Sequence, residues 1–448
     1  MSNAGQAEGR LNILFLCNRT GRNVDAATVT DHLDSFGKYS RHRIQELSFL
    51  RELPAALDLE QFDVLVIHYT IAIGWLSEHY LSEKSKQKIR AFSGLKGLFI
   101  QDEYRAVNAL HASLRRLKMD ILFTCVPESE LEKVYPADAL PGVAKISNLT
   151  GYVPEGLVEF KARPISDRPI DVGYRTRKPP YWLGELAYEK WRIAERFKEL
   201  AGGAGLTLNL SYQESERLYG PAWTQFVSSC KAMLGVESGS SVFDFTGDLQ
   251  RTVEDYVEKH PDATFDDVQR KFLMPYEGRI RYNQISPRSF EAAALRTVMI
   301  LHEGEYSGVL KPERHYVPLR KDFSNLAEVL AILRDPGKLQ KIADTAFEEI
   351  ACNEAYSYRS FILRFDQTVE REFFARGIRR SKIPFSRQKY VGELARSPSY
   401  VAHRVYSPVF QWLLLGPSRR RGMMNLWYSI PHGFREFVRP LLRWVLGR

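Results

Sequence analysis

A chain of 448 residues, 44% hydrophobic and 26% charged, has the balance of a globular protein rather than a disordered or multi-spanning one, and it is longer than one core usually organises. Its formal charge of +9 is concentrated at one end: residues 376–448 hold 15 of the 63 Lys and Arg but 2 of the 54 Asp and Glu. The remainder is mildly acidic, which points to an anionic surface touched by the basic end and argues against nucleic acid as a partner.

Cys17, Cys125, Cys230 and Cys352 are widely spaced, form no metal or redox pattern, and read as buried cytosolic thiols. The polar first ten residues lack the apolar stretch of a secretory signal, and no apolar run is long enough to span a bilayer. A cytoplasmic location is expected.

In chain order, LNILFLC (Leu11–Cys17) reads as a buried strand, followed by strand-like runs at Arg43–Leu50, Phe62–Tyr69, Gly97–Asp102 and Asp120–Val126. Helix-compatible stretches such as Ser82–Phe92 and Tyr104–Leu117 separate most of them. Alternating strands and helices predict a parallel sheet wrapped on both faces, here over residues 1–150. Residues 151–169 are rich in Pro and Gly without a period and read as a linker. A second alternation occupies 170–360: strands at Pro169–Arg175, Leu206–Tyr212, Lys231–Glu237, Thr297–Leu301 and His315–Leu319, with helices at Leu183–Leu200, Ala222–Cys230, Asn325–Leu333 and Pro336–Glu349. Residues 245–280 interrupt it with two amphipathic helix candidates. From 361 to 448 the chain is helical, basic and aromatic. The fold class expected is α/β, two Rossmann-like domains facing a cleft, with ligand at the C-terminal ends of the strands.

The most informative run is Tyr282–Leu301, YNQISPRSFEAAALRTVMIL. Ser286 suits an N-cap, Pro287 a first helical position, and Glu291 falls within the opening turns. Such a helix N-terminus attracts a diphosphate; Arg288 adds positive charge, and a carboxylate one turn in can accept from both hydroxyls of a ribose. The same spacing fits an ordinary capped helix.

At these residues the chain resembles the C-terminal domain of GT-B glycosyltransferases, the CgeB-like or family-1-like group, well over Pro169–Glu349 and in architecture only over the first half. The resemblance implies transfer of a sugar from a nucleotide-diphosphosugar, with no further cofactor and no metal, and gives Glu291 the nucleotide ribose. Relatives carry an acid eight positions earlier, where this chain has Asn283. Glu237, Ser238 and Gly239, in the small-residue loop after a predicted strand, are candidates to replace it, though Ser and Gly there also suit a plain turn. Arg175 and Arg177 fall in the loop that relatives use for the diphosphate, and arginine suits that task; a solvated basic turn is the alternative. Glu303, Gly304, Glu305 and Tyr306 occupy the loop that borders the donor in relatives. In the first half, Asp102 and Glu103 end a predicted strand and, with His68, are candidate bases for an acceptor hydroxyl, against a helix cap at Asp102 and a packed His68.

No GxxxxGK[ST], GxGxxG after the first strand, HExxH, GxSxG or DxD pattern occurs. The expected partners are a nucleotide sugar, a glycan or lipid-linked acceptor, and an anionic membrane surface. Trp412, Trp427, Trp444 and Arg419–Arg421 would lie peripherally on the inner face of the cell membrane. A nucleotide-sugar epimerase or hydrolase, or an inactive scaffold on the same fold, are the alternatives.

Overall fold

A computed structural model describes residues 9–19, 26–75, 77–397 and 400–401. The first half builds β1 (Asn12–Cys17), β2 (Arg43–Ser48), β3 (Val64–Ile67), β4 (Leu95–Phe99), β5 (Ile121–Thr124) and β6 (Ala144–Ser147), all parallel in the order β2-β1-β3-β4-β5-β6. β3, β4 and β5 are buried at every residue, because helices cover both faces of the sheet. Leu14, Leu16, Leu65 and Ile67 pack on one side with the helix Val107–Leu117. Ile13, Phe15, Val64 and Val66 pack on the other with Phe361 and Phe365 of the helix Tyr358–Ala375. The chain therefore returns from the second half to close the first.

The second half builds β7 (Ile170–Arg175), β8 (Leu208–Ser211), β9 (Cys230–Gly235), β12 (Val298–His302) and β13 (Val317–Leu319), parallel in the order β13-β12-β9-β7-β8. Two-residue strands β10 (Ser238–Gly239) and β11 (Asn283–Gln284) pair antiparallel beside it. Both sheets are doubly wound, so the chain is α/β with two Rossmann-like units, as expected. Each reverses strand order beside its first strand, at β1/β3 and at β7/β9, where such sheets bind ligands.

Thr150 donates to the carbonyl of Ile285 and Tyr282 donates to Glu103, linking the halves. The insertion folds as the helix Asp248–Lys259 and the short helix Phe265–Val268, which runs into a π-helical turn at Gln269–Leu273. Its Val253, Phe265 and Val268 bury Trp182 and Leu183.

Three expectations are corrected. β6 was not foreseen, since AKIS is a short half-buried edge. Cys352 is exposed while the other three cysteines are buried. The basic end, expected on a membrane from Arg376 onward, first packs on the protein: Arg376 bonds the carbonyl of Gly142 at 2.7 Å, and Tyr390 and Leu394 of the helix Arg387–Ala395 are buried in the first core. The rest of that expectation, residues 402–448, lies outside the described residues. Among the described residues no helix is long and apolar enough to cross a membrane.

Candidate active site

A cleft of about 390 Å³ opens at the C-terminal ends of β7 and β9. Tyr174, Arg175, Leu234, Gly235 and Ser238 form its floor, and Ala26–Thr28 of the first half form the facing wall. Gly235 packs so tightly that a Cβ there would come within 2.7 Å of Leu301. The helix Pro287–Ala294 starts at Ser286, whose backbone is extended and whose hydroxyl makes no cap, so the first amides face the cleft without that partner.

Within the helix, Ala292, Ala293 and Ala294 pack against the second core, and Glu291 turns to the cleft. Glu291 is only 5% exposed. Its Oε2 accepts from Trp223 Nε1 at 2.7 Å. Burial raises this carboxyl to about 7, against the lowering effects of the Trp223 hydrogen bond and of Arg288. The Arg288 guanidinium lies 5.1 Å from the Trp223 ring centre and donates to the carbonyl of Arg175.

Five cations line the cleft, Arg217 among them, and the other four differ in what they already hold. Arg175, at the end of β7, is turned into the sheet, where its guanidinium donates to Tyr174 O, Asn209 O and Asn209 Oδ1 over the Phe226 ring. A strand-end arginine beside an open carbonyl row satisfies those carbonyls first. Arg177 is exposed, and Lys190 is half-buried on the helix Glu185–Ala201; among the described residues neither has a hydrogen-bond or ion-pair partner for its side chain. Burial lowers Lys190 to about 8, with Asp102 opposing the shift and Arg288 and Arg177 adding to it. Lys190 is therefore ringed by the charges of both halves.

Glu237 and Asn283 meet beside the cleft: Asn283 Nδ2 donates to Glu237 Oε2 at 2.7 Å, and Glu237 Oε1 accepts from the amides of Glu305 and Tyr306 at 3.0 and 2.8 Å. The carboxylate thus clamps the loop after β12. A Cβ on Gly304 would come within 2.7 Å of it. Gly239, at φ +114, lets its backbone press against the Tyr282 carbonyl. Other members of this loop depart from the expected donor border. Tyr306 is fully buried and donates to His302 O, Glu305 pairs with Arg281 at 2.7 Å, and Glu303 is exposed. Of Glu237, Ser238, Gly239, Asn283, Glu303, Gly304, Glu305 and Tyr306, only Ser238 lines the cleft.

Two first-half candidates are buried and do not line the cleft. Glu103 is buried, accepting from Thr124 Oγ1 at 2.5 Å, Cys125 N at 2.7 Å, Tyr135 and Tyr282. Burial nonetheless raises it to about 7. His68 has no exposure and shares a 3.0 Å contact between its Nε2 and His32 Nδ1. Burial pushes it well below its ordinary value, so it is a packed neutral ring. Asp102 differs: β4 ends at Phe99, and Asp102 lies in the following turn at φ +55, exposed, holding only the Tyr104 hydroxyl at 3.0 Å. The helix begins later, at Val107, so Asp102 is no cap.

Sequence reasoning missed Lys190, which on an amphipathic helix looks like any solvated lysine, and Trp223, 68 residues from Glu291. Among the described residues no group of three or more His, Cys, Asp or Glu side chains gathers as a metal site would.

Comparisons with known proteins give a limited result. No family model matches the chain, and no curated protein matches it in sequence. Solved structures do match. An alpha-glucosyltransferase in complex with UDP-glucose and DNA is 11% identical, covering 81% of this chain and 99% of that one at a TM-score of 0.49. Anabaena Alr3699/HepE in complex with UDP is 9% identical, covering 81% and 100% at 0.45. T4 phage BGT with its UDP-glucose substrate is 10% identical, covering 81% and 99% at 0.45. At such identities and scores these likenesses decide nothing about activity, and the functional reading rests on the cleft itself.

Proposed function

We propose that the protein transfers a glycosyl group from a nucleoside-diphosphate sugar to a hydroxyl of a glycan or lipid-linked acceptor. One observation carries the reading: at the β7/β9 switch point, a buried carboxylate held by Trp223 stands one turn inside a helix N-terminus, with the unpartnered cations Arg177 and Lys190 beside it. That is the donor set a nucleoside diphosphate needs.

Glu291 accepts from the ribose hydroxyls on its second oxygen. Arg177, Lys190, Arg288 and the first amides of the helix hold the diphosphate; Arg175 acts through its carbonyl, which orients Arg288. The acceptor oxygen attacks the anomeric carbon, the bond to the diphosphate oxygen breaks, and the new negative charge forms where these donors converge. Asp102, facing Lys190 from the first half, takes the acceptor proton. The Glu237–Asn283 clamp holds the loop beside the sugar. In this reading the leaving group draws its stabilisation from protein cations, and residues 402–448 dock the enzyme peripherally on an anionic membrane.

The test is calorimetric titration with nucleoside diphosphates, then turnover of the matching nucleotide sugar with a hydroxyl acceptor in excess chelator. Failure of every nucleotide to bind would refute the cleft assignment. Strict dependence on an added divalent ion would refute the leaving-group account.

A further inference from the structure

A second cavity, of about 610 Å³, is lined by residues of the insertion and of the short segment that leads into it. Its wall begins at Phe243 and Asp244, five residues past Ser238 in the cleft floor, so the two sites are separated by at most ~17 Å of chain. The backbone of Asp244 and Phe245 accepts from Val107 and Asn108, which fixes this wall against the first half. The insertion adds no strand to either parallel sheet, and what it adds to the surface is this cavity.

The lining is aromatic and carries free positive charge. Phe245 and Phe272 are half-buried and Tyr276 is 40% exposed, and Lys271 lies over the Phe272 ring at 5.3 Å, so aromatic surface and positive charge are presented together. Both acids of the wall are occupied: Asp244 accepts from the amides of Gly247 and Gln250 at 2.8 and 2.9 Å, and Asp248 pairs with Arg251. Both cations are not. Lys271 lies over the Tyr256 ring at 4.1 Å and Arg279 over Tyr276 at 5.6 Å, and among the described residues neither has a carboxylate partner. A ligand with an apolar ring face, hydroxyls and a negative group matches this set. The volume falls within the ~300–1,000 Å³ of small-molecule sites, which suits a short saccharide. Exposed Glu254, Asp255, Glu258, Asp262 and Asp266 on the rest of the insertion would repel a long run of phosphates, which disfavours nucleic acid.

We propose that this cavity binds an acidic sugar of the acceptor glycan, its ring on Phe272 and Tyr276 and its anionic group on Lys271 and Arg279. The assignment rests on the glycosyl-transfer reading and adds to it the chemical class of the acceptor. The experiment titrates the full chain with trigalacturonate, with maltotriose as the neutral control and a thymidine tetranucleotide as the nucleic-acid control, and titrates UDP on the same preparations. Trigalacturonate should bind at least tenfold more tightly than either control. The double variant Lys271→Ala/Arg279→Ala should weaken it at least tenfold and leave UDP affinity unchanged, while Tyr276→Ala weakens both saccharides. Equal maltotriose binding, tighter tetranucleotide binding, absence of trigalacturonate binding, or a double variant that binds as well as the parent would each overturn the proposal. Loss of UDP binding by the parent chain would instead count against the donor cleft.

Discussion

Glu291→Gln should move stability and ligand affinity in opposite directions. Gln keeps an acceptor for Trp223 Nε1 at the 2.7 Å contact, so the local geometry survives. In the parent, burial raises the carboxyl from 4.5 to about 7, so the folded state binds more protons than the unfolded chain between those values. Stability then falls as pH rises through that window and is flat above it. With ~1.4 kcal/mol for each tenfold change, the ionised form costs the unliganded fold about 3 kcal/mol as a ceiling. The Gln variant should therefore match the parent near pH 4.5 and exceed it at pH 8, with a higher Tm. Nucleotide binding should weaken by the ~1.5–3 kcal/mol of a hydrogen bond to a charged group, roughly 10- to 150-fold in Kd. Parent affinity should also rise with pH through about 7, and that dependence should vanish in the variant. Scanning calorimetry at both pH values and titration with the preferred nucleotide check both signs. A variant less stable at pH 8, or one with unchanged affinity, refutes a buried carboxylate poised for ribose.

Lys190→Ala should lower kcat by roughly 100-fold or more through lost leaving-group stabilisation. Because Lys190 is lowered to about 8, parent activity should decline as pH rises through that value while Lys190→Arg holds its rate; an unaltered alkaline limb would refute the role. Asp102→Asn should abolish turnover and spare nucleotide binding, since the residue is exposed and holds one hydroxyl; near-parental kcat would exclude it as the base. Gly239→Ala should cost roughly 1–3 kcal/mol, because φ is +114 and the new Cβ would fall 1.9 Å from Tyr282 O; an unchanged denaturation midpoint would contradict the strain. The full chain should float with anionic liposomes and a chain ending at Val401 should not, and equal recovery of both would end the membrane proposal.

How much of this was readable beforehand depended on whether the signal was local. Pro287 announced the helix because a first-turn proline acts within a few residues, while Ser286 holds the cap position without making the cap hydrogen bond. β1 and β3 announced themselves through apolar runs that only a doubly covered sheet buries. Glu237, a candidate to replace the acid missing at Asn283, contacts Asn283 itself across 46 residues at 2.7 Å, a pairing no local signal shows, and the pair clamps a loop and does not line the cleft. Trp223 with Glu291, and Lys190 among charges from both halves, depend on tertiary placement and left no local mark. Arg175 looked free because a sequence does not show that Asn209 will stand beside it. Glu103 and His68 ended predicted strands, but strand position alone does not say which side chains the next layer will cover.

The helix Tyr358–Ala375 has a bearing on biosynthesis. Phe15, Phe99 and Phe123 share one face of the first sheet, where they meet Phe36 of the helix Ala27–Tyr39, and Phe361 and Phe365 complete their packing. During synthesis that face is finished more than two hundred residues before its cover leaves the ribosome. A greasy sheet surface thus stays open while the whole second half is made, and it is then a natural target for chaperones and for self-association. The two halves mature together, because neither product of a cut at the linker would carry both the first sheet and its lid.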